Sequence, residues 1–200
     1  TTEIYTLSLH DALPISLRNS VFSTYLNKAR NLFITSQFDE ALTYFQKAIQ
    51  IIPSNIEVLD DLARLYFQMK NYGASLTYIN QILVKNPKNT EMLNLKAHNL
   101  WAMKNRDEAF DSFEKSLKIK PGQSEIITDF EKLQLELANI YNNEGDAKFR
   151  GLDYDEALRM YQKSLHYHKG DSYALQRINE VRQAIQKQQD QKKEHETLAV

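Results

Sequence analysis

The sequence predicts an all-α fold, a right-handed α-solenoid of antiparallel helix pairs that ends in a C-terminal capping helix. Three observations support this fold class. Prolines recur 34 residues apart, at Pro53, Pro87 and Pro121. Each period holds two stretches of about 14 residues with apolar side chains at helical spacing, the length of an ordinary helix. Only 5 Gly and 4 Pro occur among 200 residues, which disfavours a turn-rich β fold.

Small and large side chains keep the same period as the prolines. One small residue lies in the first stretch of each period and another early in the second, namely Ala29 and Ala41, Ala63 and Ser75, and Ala97 and Ala109. Large apolar residues follow them at Phe45, Ile79 and Phe113. Small side chains allow two helix backbones to approach closely, and the large ones fill the space beside that contact. Each period is therefore expected to form one helix pair.

These units resemble tetratricopeptide repeats, whose pattern has small residues at positions 8, 20 and 27, an aromatic residue at 24 and proline at 32. The resemblance places repeats at 22–55, 56–89, 90–123 and 138–171, within an array that spans 17–190. In the second repeat Ile79 and Ile82 depart from the pattern. In the fourth, Lys169 replaces the proline, and Gly170 is expected to end the helix instead.

The segment 124–137 is inserted between the third and fourth repeats. Its apolar residues follow helical spacing, at Ile126, Phe130, Leu133 and Leu137. Because 14 residues are close to four helical turns, the insertion keeps the apolar face in register with the repeat that follows. One long helix from about Ser124 to Phe149 is expected, and a kinked pair of helices is the alternative.

A last helix over 172–190 is expected to cap the array, since it carries a single apolar stripe and is otherwise polar. The stripe consists of Leu175, Ile178, Val181 and Ile185. Residues 191–200 form a polar tail that is expected to fray or to project into solvent.

The first fifteen residues resemble the translation of a common short-read sequencing adapter, whose codons spell Thr1 to Ile15 without a mismatch. Residues 1–16 are therefore interpreted as an artefactual segment and its junction, poorly ordered and outside the fold. This interpretation implies an environmental DNA source and further protein upstream. The first repeat is then expected to present an apolar face, through which self-association is possible.

Candidate binding residues follow from the resemblance, because positions 2, 5, 6, 9, 12 and 13 of the first helices contact extended peptides in the family. The groove candidates are Arg30, Phe33, Asp60, Arg64, Phe67, Asn94, His98, Trp101, Asn142 and Phe149. Position 12 is aromatic in all four repeats. Such a row either holds a partner's side chains or packs against neighbouring helices, and Trp101 is the strongest single candidate. Arg30 and Arg64 either bind an acidic partner or form salt bridges.

Family members that clamp the carboxylate terminus of heat-shock chaperones carry Lys, Asn or Arg at defined positions of their first helices. At those positions this sequence has Leu26 and Arg30, then Asp61, then Glu91 and Leu95. Acidic side chains repel a carboxylate, so no such clamp is predicted.

Composition restricts the other classes of function. The 25 Lys and Arg nearly balance the 26 Asp and Glu, so no nucleic-acid partner is predicted. No run of about 18 apolar residues occurs, so no membrane insertion is predicted. Cys is absent, and His166 and His168 lie two residues apart, where a helix points them in different directions. We predict no cofactor, no metal site and no catalytic residues, and therefore no enzyme.

The sequence thus predicts a protein–protein interaction scaffold that holds a peptide or helix of another protein in a concave groove. The alternative is the regulatory or sensory portion of a larger, truncated signalling enzyme. A soluble protein of the cytoplasm or periplasm is expected, and the composition is compatible with a bacterial origin.

Overall fold

A computed structural model describes residues 14–198, with side chains described through residue 195. Within these residues the regular structure is entirely helical. The helices are α1 (Ile15–Ile34), α2 (Phe38–Ile51), α3 (Ile56–Gln68), α4 (Tyr72–Lys85), α5 (Thr90–Ala102), α6 (Arg106–Ile119), α7 (Ser124–Arg150), α8 (Tyr154–Tyr167) and α9 (Ser172–Leu198). Helices α1 to α8 pack in successive pairs. The predicted all-α fold of stacked helix pairs is confirmed.

The helices form two compact units, the first ending at Gly122 and the second beginning at Gln123. In the first unit α1–α6 make three helix pairs, and α3 contacts both α1 and α5. In the second unit α7 pairs with α8, and α9 packs against both of them. The inserted segment 124–137 therefore belongs to the second unit.

The turn inside each helix pair has the same backbone geometry in all four repeats. Its key residue is the fifteenth of each repeat, with positive φ at Ser36 (60°), Lys70 (58°), Lys104 (65°) and Leu152 (61°). The following N–H reaches five residues back, as from Gln37 N to Leu32 O at 2.9 Å. This is a Schellman helix ending, which is usually built with glycine. None of the four residues is glycine, so their residue types do not predict this helix ending.

Small residues lie where the two helices of each pair meet. The six at this contact are fully buried: Ala29, Ala41, Ala63, Ser75, Ala97 and Ala109. Ser75 brings a hydroxyl into the contact, and Ser75 Oγ donates to Ala63 O at 2.8 Å. That bond satisfies a polar group that would otherwise be costly to bury.

In the fourth repeat the small residue is Gly145, which faces the ring of Tyr161. A β-carbon on Gly145 would lie 2.7 Å from Tyr161 Cε1 and 2.9 Å from its Cδ1 and Cζ. Tyr161 is fully buried, and its hydroxyl donates to Asp146 at 2.6 Å, so the ring is held in place. This approach between α7 and α8 therefore requires glycine.

Gly145→Ala is expected to destabilise the second unit by about 1–2 kcal/mol. Overpacking a filled contact costs about 1–3 kcal/mol, and the better helix propensity of Ala offsets up to about 1 kcal/mol. Gly73→Ala in α4 is the matched control, because a β-carbon there meets nothing within 4 Å. Urea unfolding followed by circular dichroism measures both variants. Stability equal to the parent for Gly145→Ala would mean that the Tyr161 ring moves freely.

The inserted segment continues into the fourth repeat as one helix. Helix α7 runs without interruption through 27 residues, from Ser124 to Arg150. The predicted single long helix is confirmed. Leu133 and Leu137 of the segment are buried, Ile126 and Phe130 are partly buried, and Ile127 and Leu135 are exposed.

Helix α9 differs from its prediction in length and in one apolar position. It continues to Leu198, through most of the segment predicted to be a tail, and its side chains from 186 to 195 are exposed. Leu175 is 49% exposed, and the buried stripe instead consists of Ala174, Ile178, Val181 and the partly buried Ile185. The prediction for Leu175 was wrong because the stripe beginning at Ala174 follows the turn of about 3.6 residues more closely.

Two other boundaries differ from expectation. Helix α8 ends at Tyr167, where the N–H of His168 bonds to Ser164 O at 2.9 Å. Gly170 has no positive φ, so it does not end this helix as predicted. Helix α1 begins at Ile15, inside the segment interpreted as artefactual, while residues 1–13 of that segment lie outside the described residues.

Helix α1 carries exposed apolar residues before the first repeat and buried ones inside it. Ile15 is 73% exposed and Leu17 is 48% exposed, whereas Phe22 and Leu26 are buried. Self-association through this end of the first unit stays a prediction.

Candidate functional site

The first helices of the first unit, α1, α3 and α5, are neighbours. We call the surface formed by their positions 2, 5, 6, 9, 12 and 13 the first-helix face. Eight of the ten candidates lie on these helices: Arg30, Phe33, Asp60, Arg64, Phe67, Asn94, His98 and Trp101. Asn142 and Phe149 lie on α7 of the second unit and form a separate environment.

Arg30, at the ninth position of the first repeat, bridges two carboxylates of α3. Arg30 Nε donates to Asp61 Oδ2 at 2.6 Å, and Nη2 donates to Glu57 Oε2 at 3.3 Å. The guanidinium therefore ties the first repeat to the second.

Arg64, at the ninth position of the second repeat, also binds two carboxylates, one on its own helix and one on α5. Arg64 Nε donates to Asp60 Oδ1 at 2.8 Å, and Nη2 donates to Glu91 Oε2 of α5 at 2.8 Å. Of the two roles left open for the arginines, the salt bridges are thus formed. Each arginine reaches a glutamate 27 residues ahead, at the second position of the next repeat.

The aromatic residues at position 12 form a row along the face, and all three are partly buried. Each packs on an aromatic residue of the following helix, with ring centroids 5.9 Å apart for Phe33 and Phe38, 5.8 Å for Phe67 and Tyr72, and 6.3 Å for Trp101 and Phe113. One side of each ring is thus supported while part of the ring stays accessible. The two interpretations of the row, packing and partner contact, are compatible with one another.

His98 shares the support of Trp101. Its ring lies 5.0 Å from the Phe113 centroid at an interplanar angle of 83°, an edge-on contact. His98 and Asn94 are both partly buried on α5. The fully buried Phe113 therefore positions two candidate side chains at once.

The pKa of Asp61 is raised in spite of its bond to Arg30. Burial raises the pKa of Asp61, and the bond and charge of Arg30 only partly offset that rise. The carboxylates of Asp60 and Glu57 raise the pKa further, because like charges disfavour ionisation. Burial would lower the pKa of Arg30, but the bonds and charges of Asp61 and Glu57 outweigh it and raise that pKa. Negative charge is therefore in excess at this part of the face.

In the second unit Asn142 is buried and is not a groove residue. It is 7% exposed, and its Nδ2 donates to Asp171 Oδ2 at 2.6 Å. The fifth position of this repeat faces the start of α9, so the amide holds the capping helix. The candidate role of Asn142 in partner binding is corrected to a structural one.

Phe149 lies beneath Arg177 of α9, whose guanidinium carbon is 4.5 Å from the ring centroid. Arg177 Nε donates to Asp146 Oδ1 and to the Tyr161 hydroxyl oxygen, each at 3.1 Å. The Tyr173 hydroxyl donates to Asp146 Oδ2 at 2.6 Å. The capping helix thus covers the position-12 ring of the fourth repeat.

This arrangement is the charge-reversed form of the arginine bridges. Asp146 is the ninth residue of its repeat and bonds to Tyr173 and Arg177, 27 and 31 residues ahead. In the first unit Arg30 bonds to its two carboxylates across the same separations. Helix α9 therefore takes the place of the first helix of a following repeat. Sequence analysis missed Arg177, although these two separations were the signal for it.

The protonation states of Tyr161 and Asp146 keep this network intact at neutral pH. Burial and the hydrogen bond to Asp146 raise the pKa of Tyr161 to about 12. Burial would raise the pKa of Asp146 as well, but bonds from Tyr161, Tyr173 and Arg177 outweigh it and lower that pKa. The phenol therefore stays a donor and the carboxylate stays an acceptor.

The described residues present neither a metal-binding cluster nor a membrane-spanning helix. Among the side chains described, no group of three His, Asp or Glu could hold a metal ion. Within residues 14–198, no helix combines the length and apolar content that a membrane crossing requires.

Two family models match the chain, both described as tetratricopeptide repeat. One matches residues 32–98 and the other residues 90–123. Residues 32–123 therefore match tetratricopeptide repeats, in agreement with the resemblance. Among curated protein sequences, none matches the chain.

Solved structures with a similar fold include the first TPR of Spaghetti (RPAP3) bound to the HSP90 peptide SRMEEVD, with 21% identity over 60% of this chain and 94% of that one, at a TM-score of 0.55. The second TPR domain of human RPAP3, in complex with the HSP70 peptide SGPTIEEVD, has 15% sequence identity. The match covers 58% of this chain and 97% of that one, at a TM-score of 0.53. MamA has 16% sequence identity, and the match covers 82% of this chain and 81% of that one, at a TM-score of 0.50. At these identities the likeness shows the fold, a tetratricopeptide solenoid.

Proposed function

We propose that the chain is a protein–protein interaction scaffold and that the first-helix face of its first unit binds a peptide or helix of another protein. The observation that carries the proposal is the row of partly exposed rings at Phe33, Phe67 and Trp101, each supported from behind by a second ring. Rigid aromatic side chains give large contact area at low entropic cost, and they dominate the binding energy of many interfaces.

The side chains between the rings also suit this role. Arg30 and Arg64 are held by carboxylates at 2.6 to 3.3 Å, so the polar part of the face is ordered before any partner arrives. A preorganised surface loses little entropy on binding. The similar RPAP3 structures, which were determined with peptides of HSP90 and HSP70, support peptide binding as a use of this fold.

Phe67→Ala tests the proposal. Peptides selected from a random library against the parent chain are expected to bind this variant at least about tenfold more weakly, the loss typical of an interface hot spot. Tyr78→Ala is the matched control, because Tyr78 is a partly buried ring of the same helix pair that stacks on Tyr66 with centroids 5.6 Å apart. Tyr78 lies on the second helix of that pair, α4, away from the aromatic row.

Fluorescence anisotropy of labelled peptides measures the affinities, and circular dichroism checks that both variants fold. Trp101 is the only Trp of the chain, so its emission reports contact at the face directly. Equal affinities of parent and Phe67→Ala for every selected peptide, with unchanged Trp101 emission, would place binding elsewhere and contradict the proposal.

A further inference from the structure

We infer that the first-helix face selects partner segments that carry Lys or Arg beside apolar side chains. The inference rests on the proposed function and adds the charge of the partner. Its basis is the number, exposure and spacing of the charged groups on α1, α3 and α5.

Carboxylates outnumber cations on this face. At the six face positions of the three repeats the basic side chains are Arg30 and Arg64, and the acidic ones are Glu57, Asp60, Asp61 and Glu91. Each guanidinium already donates to two carboxylates. Neither arginine therefore has its charge left over for an anionic partner, and the face keeps a net negative charge.

The surplus negative charge lies where a partner can reach it. The inner carboxylates are largely covered, with side chains 17% exposed at Asp61 and 35% at Asp60. The outer ones are open to solvent, at 68% for Glu57 and 75% for Glu91. Two exposed glutamates at the same position of neighbouring helices form a row of acceptors for ammonium or guanidinium groups.

Along α3, the nearest cation other than Arg64 lies too far from Glu57 to neutralise it. Lys70 follows the end of α3, thirteen residues after Glu57, which is about 20 Å along a helix. The Debye length at physiological ionic strength is about 8 Å, so the lysine is largely screened from the glutamate. On α5 Lys104 lies at the same separation from Glu91, whereas the nearer Lys96 lines a pocket with Glu108 and Asp111, and Lys88 precedes the helix. On α3 and α5 the ring at position 12 lies between the glutamate and the lysine that follows the helix. A partner segment that binds the glutamates can therefore also place apolar side chains on the rings.

The preference is opposite in sign to the peptides held by the similar RPAP3 structures, SRMEEVD and SGPTIEEVD, which are rich in carboxylates. On this face an acidic peptide meets Glu57 and Glu91 and gains no free guanidinium. Like-charge contact costs affinity and also slows encounter.

Two decapeptide libraries test the inference. Both are randomised among apolar residues at the same positions, and they differ only in carrying Lys or Glu at the remaining positions. The Lys library is expected to bind the whole chain at least about tenfold more tightly at low salt, and to lose most of that advantage between about 0.05 and 0.5 M salt, because exposed charges are screened.

Three variants locate the effect. Glu57→Gln with Glu91→Gln is expected to weaken binding of the Lys library about fivefold, as for two exposed rim charges. Arg64→Gln is expected to strengthen binding of the Lys library, because Asp60 and Glu91 lose the cation that now binds them. If Arg64 had only a structural role, its replacement would weaken binding instead. Glu108→Gln with Glu114→Gln on α6 is the control and should change nothing.

The outcomes separate the two proposals. Equal binding of both libraries, or tighter binding of the Glu library, overturns the charge inference. The proposed function is then still tested separately, by the affinity of Phe67→Ala for the selected peptides. Binding of neither library, together with failure of the random library, overturns the proposed function as well. A Lys preference that survives in the double glutamine variant would show that other carboxylates cause it and would also overturn the inference.

Discussion

Asp171→Ala is expected to lower the free energy of unfolding of the second unit by about 2–4 kcal/mol, although Asp171 lies at the boundary between two helices. The loss has two parts. Removing a helix N-cap costs about 1 kcal/mol, and leaving buried hydrogen-bond donors without an acceptor costs about 1–3 kcal/mol more.

Both parts are visible in the bonds of this carboxylate, which is 9% exposed. Its Oδ1 accepts from the N–H of Ala174 at 3.2 Å and so caps α9. Its Oδ2 accepts from Asn142 Nδ2 at 2.6 Å and from Ser164 Oγ at 2.7 Å, which ties α9 to both α7 and α8. One side chain thus joins the three helices of the unit.

Asp171→Asn is the matched control, and it is expected to cost much less. The new amide oxygen can still cap Ala174. Its NH₂ group would face the NH₂ of Asn142, but Asn142 Oδ1 is buried without a partner, so a flip of that amide makes a new bond. Ser164 Oγ already lies 3.2 Å from Ala138 O and can donate there. Hydrogen exchange of α8 and α9 amides measures the loss within the second unit. Equal losses for Ala and Asn would show that charge, not hydrogen bonding, matters.

The same carboxylate makes stability depend on pH. Burial would raise the pKa of Asp171, but bonds from Asn142, Ser164 and the Ala174 N–H outweigh it and lower the pKa. Because the unfolded value is about 3.9, its contribution is present above about pH 4 and is lost as pH falls through the lowered pKa. The difference in stability between the parent and Asp171→Asn should therefore narrow from pH 7 to pH 3.

The period and composition of the sequence were enough to predict the helix pairs, because the pattern of small and large residues is set by contacts inside one repeat. Ala29 and Ala41 are both buried within a single hairpin, as are Ala97 and Ala109, so local spacing fixes their positions. The long helix α7 followed from the same logic, since four full turns leave the apolar face in register.

Features that depend on another element were missed or left open. The roles of Arg30 and Arg64 were open because each partner glutamate lies 27 residues away, in the next repeat. Asn142 was assigned to a groove because position alone does not show that Asp171 approaches it across 29 residues. The positive φ of Leu152 has no residue-type signal, since the Schellman ending is imposed on whichever residue occupies that turn.

Phe113→Ala is the second large effect, with an expected loss of about 3–5 kcal/mol in the first unit, the usual cost of deleting a buried aromatic ring. Phe113 is fully buried on α6. Its ring supports Trp101, 6.3 Å away, and His98, 5.0 Å away, both of which lie on the first-helix face. The cavity therefore opens directly behind the candidate binding residues.

Phe45→Ala is the matched control, because Phe45 occupies the same position in the first repeat and is equally buried. Both variants should unfold at lower urea concentration by similar amounts. Only Phe113→Ala should also shift Trp101 emission in the folded state, since only there does the tryptophan lose its support. Unchanged emission would mean that Trp101 keeps its orientation without Phe113. A shift accompanied by weaker peptide binding would show that core packing sets the geometry of the aromatic row.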